Sequence, residues 1–311
     1  MAKPACAPDT GPEIRTEVNV HSDARTCCEQ LEAGQILYFP QTPLAISAAD
    51  REFLLSQQQA DSTLHKNISY RPKEDVLRGF AAKDPADVER LHGILRSYSQ
   101  QATRLLTSLL APYASQWKLD FASFRPIEEQ NRDLPLTRRN DLLHVDSFPT
   151  RPTHGSRILR FFTNINPTQP RVWLTTMRFP EIARNFARAA GLENIAASEK
   201  SLSRRVARQF AALRRAVGLR APDFSAYDRF MLRFHDYLKG NEEFQHSPET
   251  LKLEFPPNST WMAFTDSVPH AVLSGRFAME QTYLIPESAL LAPQRSPRRI
   301  LESLCGKKLA A

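Results

Sequence analysis

His144 and Asp146 stand as His-x-Asp in the segment NDLLHVDSFP. In an extended chain, residues two apart project from one face, so this imidazole and this carboxylate can reach one metal ion. Two histidines and one carboxylate on one face leave three coordination positions open, the arrangement used by non-haem Fe(II) oxygenases. The missing ligand is then a distal histidine. His270, in DSVPHAVLSGR and 124 residues beyond Asp146, sits in a short apolar segment just before a tight turn. His235 and His246 are rivals for the role, but both fall in or beside charged, helical sequence. The pattern is weak by itself. His21-Ser22-Asp23 matches it too, in a polar leader, and eight histidines give such a pattern about once by chance.

An oxygenase of this class needs a cosubstrate, commonly 2-oxoglutarate. Its far carboxylate calls for a cation, ideally a guanidinium on a barrel strand. Arg276 opens the segment directly after His270, where such a cation is wanted. Arg160 and Asn164 share one face of RILRFFTNIN and are candidates to line the same pocket. For Arg157 and Arg171 the expectation is a surface salt bridge.

These residues need elements to hold them. GQILYFPQTPLAI reads as a short strand closed by prolines, and SAADREFLLSQ as a capped helix. From Asp84, apolar residues at helical spacing (Val88, Leu91, Ile94, Leu95, Tyr98, Leu105, Leu109) mark a long amphipathic helix. RILRFFTNINP and RVWLTTMRF read as strands, and two helical stretches follow, the second being FSAYDRFMLRFHDYLKG. Strands return in KLEFPPNSTWMAFTD, SVPHAVLSG and RFAMEQTYLIP, the last two joined by a Ser-Gly turn. Helices, then strands, a helical insertion, then strands again predict an α+β fold. Its core is a jelly roll braced by N-terminal helices, with the insertion at about 180–245 between barrel strands. Residues 1–33 read as a poorly ordered leader, 34–295 as a single domain and 296–311 as a C-terminal tail.

Composition closes off other chemistries. The chain has 311 residues with only 10 glycines, and the closest two, Gly79 and Gly93, are 14 positions apart. Phosphate loops, dinucleotide turns and nucleophile elbows each need two glycines within a few residues, so all three are excluded. There is no HExxH and no CxxC. Cys6, Cys27, Cys28 and Cys305 read as free thiols of a reducing, cytoplasmic compartment. The net charge is +7, and the span from Glu181 to Arg220 holds nine basic and three acidic residues, 9 − 3 = +6. That excess reads as a solvated helical face or as contact with an anionic partner.

The segments KNISYRP (66–72), RNDLLHVDSFPTRPTHGSRILRFFTNINP (139–167), PRVW (170–173) and PHAVLSGRFAMEQTYLI resemble the bacterial hydroxylases of Kdo, 3-deoxy-D-manno-oct-2-ulosonic acid, the inner sugar of lipopolysaccharide. The likeness runs from about Gly34 to Pro293. It implies an Fe(II)/2-oxoglutarate-dependent dioxygenase on a double-stranded β-helix, using O2 to hydroxylate carbon 3 of the outer Kdo of Kdo-lipid A. By motif position it puts iron on His144, Asp146 and His270. For 2-oxoglutarate it leaves Arg276, with Arg160 and Asn164 beside it from the strand alternation, although many relatives carry the arginine about ten residues after the distal histidine and Arg276 is six after. Substrate contacts are expected at Lys66, Tyr70 and Arg151. A lipid-linked anionic substrate further implies a peripheral place on the inner leaflet of the inner membrane, with the basic stretch facing the lipid.

Three other readings compete. The same dioxygenase chemistry would suit another small molecule or a protein side chain. A zinc hydrolase would use the same His2Asp ligands. A nucleic-acid binder built on the arginine-rich stretch is disfavoured, because Phe210 is the only aromatic residue between Lys200 and Arg220.

Overall fold

The computed structural model describes residues 14–57, 67–80, 84–130, 133–198, 209 and 223–309. Eleven strands are found among them: β1 (Arg15–Glu17), β2 (Ile36–Phe39), β3 (Ile68–Arg71), β4 (Val76–Arg78), β5 (Lys118–Arg125), β6 (Arg157–Asn164), β7 (Arg171–Thr175), β8 (Leu251–Phe255), β9 (Thr260–Phe264), β10 (Ala271–Ser274) and β11 (Ala278–Ile285). The helices are α1 (Ala24–Glu32), α2 (Ala48–Ser56), α3 (Pro85–Leu109), α4 (Ala111–Ala114), α5 (Phe179–Phe186), α6 (Leu192–Ser198), α7 (Ala226–Gly240), α8 (Glu242–Gln245) and α9 (Pro297–Cys305).

The strands form an eight-stranded sheet, β1-β2-β9-β6-β11-β5-β3-β4, and a three-stranded sheet, β10-β7-β8. All pairings are antiparallel except β1 with β2. The two sheets enclose an aromatic layer in which Tyr38, Phe162 and Trp261 of the large sheet meet Trp173, Phe255 and Val272 of the small one. Phe255 stacks on Trp261 with ring centroids 4.0 Å apart. This is the double-stranded β-helix expected from the order of elements.

Alternation along the strands assigns each face its task. On β6 and β11, odd-numbered Leu159, Phe161, Met279 and Tyr283 join the core beneath helices α1 to α4. The even-numbered Arg160, Glu280 and Thr282 turn into the barrel. Helix α3 supports the sheet from behind with Leu91, Leu95, Tyr98, Ala102, Leu106 and Leu109 buried. It starts where Asp84 caps Ala86 N and runs unbroken for 25 residues.

The described part of the leader is structured, contrary to the sequence expectation. Arg15–Glu17 pairs with Ile36–Tyr38, and α1 buries Cys27, Cys28 and Leu31. Asp23, the acid of the chance His-x-Asp match, is the N-cap of α1 and accepts from Thr26 N. A polar, Pro-containing sequence hid a short helix whose one apolar stripe is enough to dock it. The C-terminal segment is also packed, since Leu301 and Leu309 join the core of the insertion.

The helical insertion lies between β7 and β8 as expected, with Phe179, Ile182, Phe186, Phe230, Phe234 and Leu238 forming its own core. Lys200, Arg204, Arg205, Arg208, Arg214, Arg215 and Arg220, most of the basic excess, lie outside the described residues. Arg184 of α5 and Arg188, just beyond its end, are described, and both are exposed. Among the described residues, no helix is long and apolar enough to cross a membrane.

Candidate active site

His144 and His270 face each other across an antiparallel bridge in which His144 N donates to His270 O (3.2 Å) and His270 N to His144 O (2.9 Å). Asp146 N donates to Thr265 O at 2.8 Å, so two chain segments 124 residues apart are zipped together where the three side chains emerge. One ligand atom from each of His144, Asp146 and His270 lies within 4.8 Å of the others, and all three residues are buried. His144 Nε2 is 3.9 Å from Asp146 Oδ1, and His270 Nε2 is 4.0 Å from Asp146 Oδ2.

The second nitrogen of each ring is already engaged. His144 Nδ1 donates to Leu142 O (2.7 Å) and His270 Nδ1 to Val268 O (2.9 Å). This fixes the tautomer that presents a bare Nε2, as metal-ligating histidines require. Trp173 stacks on His270 at 5.0 Å and holds its ring plane. Burial pushes both rings below the ordinary histidine pKa, with His144 displaced well below it. Burial alone would raise Asp146, but Arg160 and His270 outweigh it and bring the carboxyl to about 2. The set is therefore two neutral nitrogens and one carboxylate. Asp146 Oδ2 is buried and makes no hydrogen bond, although Arg160 Nε lies 2.8 Å away as an ion pair. Two neutral nitrogens and one carboxylate converging in a buried site are a donor set that fits Fe(II).

The three residues open into a cavity of about 680 Å3 between the sheets. Its floor carries three guanidiniums from consecutive strands. Arg125 of β5 binds Glu280 Oε2 through Nε (2.9 Å) and Nη2 (2.5 Å), and Arg160 of β6 reaches Glu280 Oε1 at 2.7 Å. Arg171 of β7 is different. It is 1% exposed, has no carboxylate partner among the described residues, gives Nη1 to Gly275 O and leaves Nε without a partner. Burial, and then the charge of Arg125, press its pKa down to about 10. Gly275 is required where Arg171 meets the β10–β11 turn. Its φ is +109°, and a Cβ there would lie 2.6 Å from Arg171 Cα.

Several sequence expectations change here. Arg276 is exposed and gives its Nε to Pro126 O, outside the cavity. It precedes β11 in a turn where Phe277 takes φ +63°, so the alternation that faces Ala278, Glu280 and Thr282 one way does not extend back to it. The position ten residues after His270 holds Glu280, not an arginine. Asn164 is a loop staple, its Nδ2 donating to Gln169 O, Phe255 O and Pro256 O and its Oδ1 accepting from Asn166 N. Arg157 and Arg171 are buried, not surface pairs. Arg157 binds Asp266 (2.8 Å) and Ser267 Oγ (2.6 Å).

Arg160 and Arg151 do line the cavity. Arg151 is held toward the mouth by Asp120 at 3.1 Å and between the rings of Phe121 and Phe148. Tyr70 turns away toward α3 and donates to Asp75, whereas its neighbours Asn67 and Ser69 line the cavity, a one-residue difference of strand parity. Lys66 lies outside the described residues. His235 lines the cavity but is tied through Nδ1 to Val145 O, and His246 is exposed. Sequence reading missed Arg125, Glu280 and Phe148. Strand β5 did carry a signal, since Leu119, Phe121, Ser123 and Arg125 alternate with Asp120, Ala122 and Phe124 before Pro126.

No curated protein matches the chain. Among solved structures, the Kdo hydroxylase KdoO, a non-haem Fe(II) α-ketoglutarate-dependent dioxygenase, in complex with α-ketoglutarate and Fe(III), is 32% identical with a TM-score of 0.80, the match covering 96% of this chain and 98% of that one. The same enzyme with cobalt(II) is 31% identical at a TM-score of 0.82, again over 96% and 98% of the two chains. The model of the 3-deoxy-D-manno-oct-2-ulosonic acid (Kdo) hydroxylase family matches residues 15–308, and the chain belongs to that family.

Proposed function

We propose that this chain is an Fe(II)/2-oxoglutarate-dependent dioxygenase that hydroxylates carbon 3 of the outer Kdo of Kdo-lipid A. The observation that carries the reading is the convergence of His144, Asp146 and His270 at the floor of a guanidinium-lined cavity. The family match and the KdoO likeness agree with it.

His144, Asp146 and His270 hold the iron. When bound with 2-oxoglutarate and O2, the metal supplies the redox chemistry that couples decarboxylation to succinate and CO2 with oxygen insertion into a C–H bond. The protein supplies position, charge and dryness. Arg160 keeps Asp146 ionised and ties it to Glu280. Arg171, a buried cation in no direct ion pair among the described residues, takes a carboxylate of 2-oxoglutarate, because a buried charge short of a close partner is a costly state that an incoming anion relieves. Arg151, toward the mouth and braced by two aromatic rings, takes the carboxylate of the sugar. Phe148, Phe162 and Trp173 line the cavity and limit water near the reacting carbon.

The lipid-linked form of the sugar and a peripheral place on an anionic membrane belong to the same proposal. They are supported by the +6 excess between Glu181 and Arg220 and by the exposed Arg184 and Arg188 within it. The test uses purified protein with Fe(II) and 2-oxoglutarate, with and without Kdo-lipid A. Succinate release that rises with the lipid, together with a lipid heavier by one oxygen, is the expected result. Release that ignores the lipid removes the Kdo assignment.

A further inference from the structure

We propose that His235 is a specificity-determining residue whose Nε2 accepts a hydrogen bond from a hydroxyl of the bound sugar; this rests on the reading of the cavity as a Kdo site. Helix α7 lies over the cavity and lines it with Leu232, His235 and Asp236, which share one face at i, i+3 and i+4. The strands line the same cavity with Arg125, Arg160 and Arg171. The cavity therefore has donors on the strand side and, at α7, a different chemistry.

The tautomer of His235 decides what that chemistry is. Its Nδ1 lies 2.8 Å from Val145 O, and a carbonyl only accepts, so Nδ1 carries the proton of the neutral ring. Nε2 is left with a bare lone pair. Among the described residues nothing donates to it. His144 and His270 have the same tautomer, but their Nε2 atoms converge on Asp146, whereas His235 is not part of that group and meets His144 edge-on at 4.9 Å.

A lone pair facing a cavity is satisfied by a donor, and none of the carboxylates in the reaction is one. The hydroxyl groups of a sugar acid are. Asp236, exposed at the rim of the same helix face, offers a second acceptor. The pocket is thus sorted, with guanidiniums for the acid groups and α7 for the hydroxyls. That division selects a polyhydroxylated acid over a plain acid of equal charge, since a site built to bond a hydroxyl rejects a ligand that lacks it.

The experiment compares wild type, His235→Phe and His235→Gln, each loaded with Fe(II) and 2-oxoglutarate, on Kdo-lipid A. Iron content, sugar KM and kcat are read. His235→Phe should keep its iron and raise the sugar KM roughly tenfold, with a smaller change in kcat at saturation. His235→Gln, whose amide oxygen can accept in place of Nε2, should recover most of that loss. If His235→Phe does not fold, His235→Asn, too short to reach the sugar, replaces it with the same expected rise. An unchanged sugar KM overturns the proposal. So does loss of iron, or an iron-loaded Gln variant no better than Phe, because either makes His235 a prop for Val145. Wild-type decarboxylation that the Kdo lipid does not raise overturns the functional reading and this proposal with it. Lipid turnover by wild type with an unchanged variant KM overturns the proposal alone.

Discussion

Asp146 is pulled two ways. Burial favours its neutral form, and the guanidinium of Arg160 favours the anion and wins. Removing any one of His144, Asp146 or His270 leaves too few donors for ordered Fe(II), so each alanine variant should lose bound iron and hydroxylation together. His21→Ala and His246→Ala, both at exposed positions, should keep both. Metal analysis of the purified variants checks this. Arg171→Ala should raise the KM for 2-oxoglutarate far more than Arg276→Ala, because truncating one side of a buried charged contact costs about 2–5 kcal/mol. Equal values for the two variants would count against Arg171. The pH dependence has a definite sign. Burial holds His144, His235 and His270 below the ordinary 6.5, so the unfolded chain binds protons that the folded one does not. Stability of the metal-free protein should therefore fall as pH drops through about 6.5. The Asp146 contribution follows only nearer the acid end, between 3.8 and about 2. A flat melting temperature from about pH 7.5 to 5 would contradict this.

Among the elements, one buried carboxylate ties the start of α7 to the loop beside the barrel. Asp228 Oδ2 closes a capping box with Ser225, while Oδ1 accepts from Thr153 N (2.7 Å) and His154 N (3.1 Å) in the loop that follows Asp146. Asp228→Ala removes the cap and strands two amides, for a loss of about 2–4 kcal/mol. Ser47→Ala removes only the cap of α2 and should cost about 1 kcal/mol. Denaturant unfolding of the two variants side by side checks the difference. Of the strands, β6 and β11 were legible because hydrophobic alternation continued through them. Strand β5 was harder to see, since Ser123 and Arg125 make one of its faces polar beside the apolar Ala122 and Phe124. Those polar residues belong there because that face lines the cavity.

For the whole molecule, the proposal is that charge sets where the enzyme works. Each basic residue near an anionic bilayer contributes about 1 kcal/mol, so four of them govern association. Changing Arg204, Arg205, Arg208 and Arg215 to Gln should weaken binding to anionic vesicles and slow turnover of the lipid substrate. Basal 2-oxoglutarate decarboxylation should persist. High salt should mimic the variant, because the screening length falls from about 10 Å at 0.1 M to about 3 Å at 1 M. Cosedimentation with vesicles reads both effects, and a variant that binds like wild type at low salt would leave the basic stretch as solvated surface.

The order of elements, the helical insertion and the pairing of His144 with Asp146 follow from the chain itself. Periodicity and i, i+2 spacing are local properties, and a sequence displays them without folding. His270 was legible as a candidate distal histidine from its place before a tight turn and from the resemblance of PHAVLSGRFAMEQTYLI, and the structure brings its Nε2 close to the other two side chains. Which arginines face the cavity was not legible. Arg276 and Arg171 differ in the alternation and turn geometry around them, and those depend on where β11 begins and on Gly275 packing against β7. The same holds for Tyr70 and Ser69, whose opposite facings are set by the register of β3 on β5. Position 280 makes the point most sharply. A glutamate there says nothing by itself, and only the fold brings Arg125 and Arg160 onto its two oxygens and leaves Arg171, among the described residues, in no direct ion pair. Charge pairing in a buried site is a property of strands far apart in sequence, so only the tertiary structure could decide it.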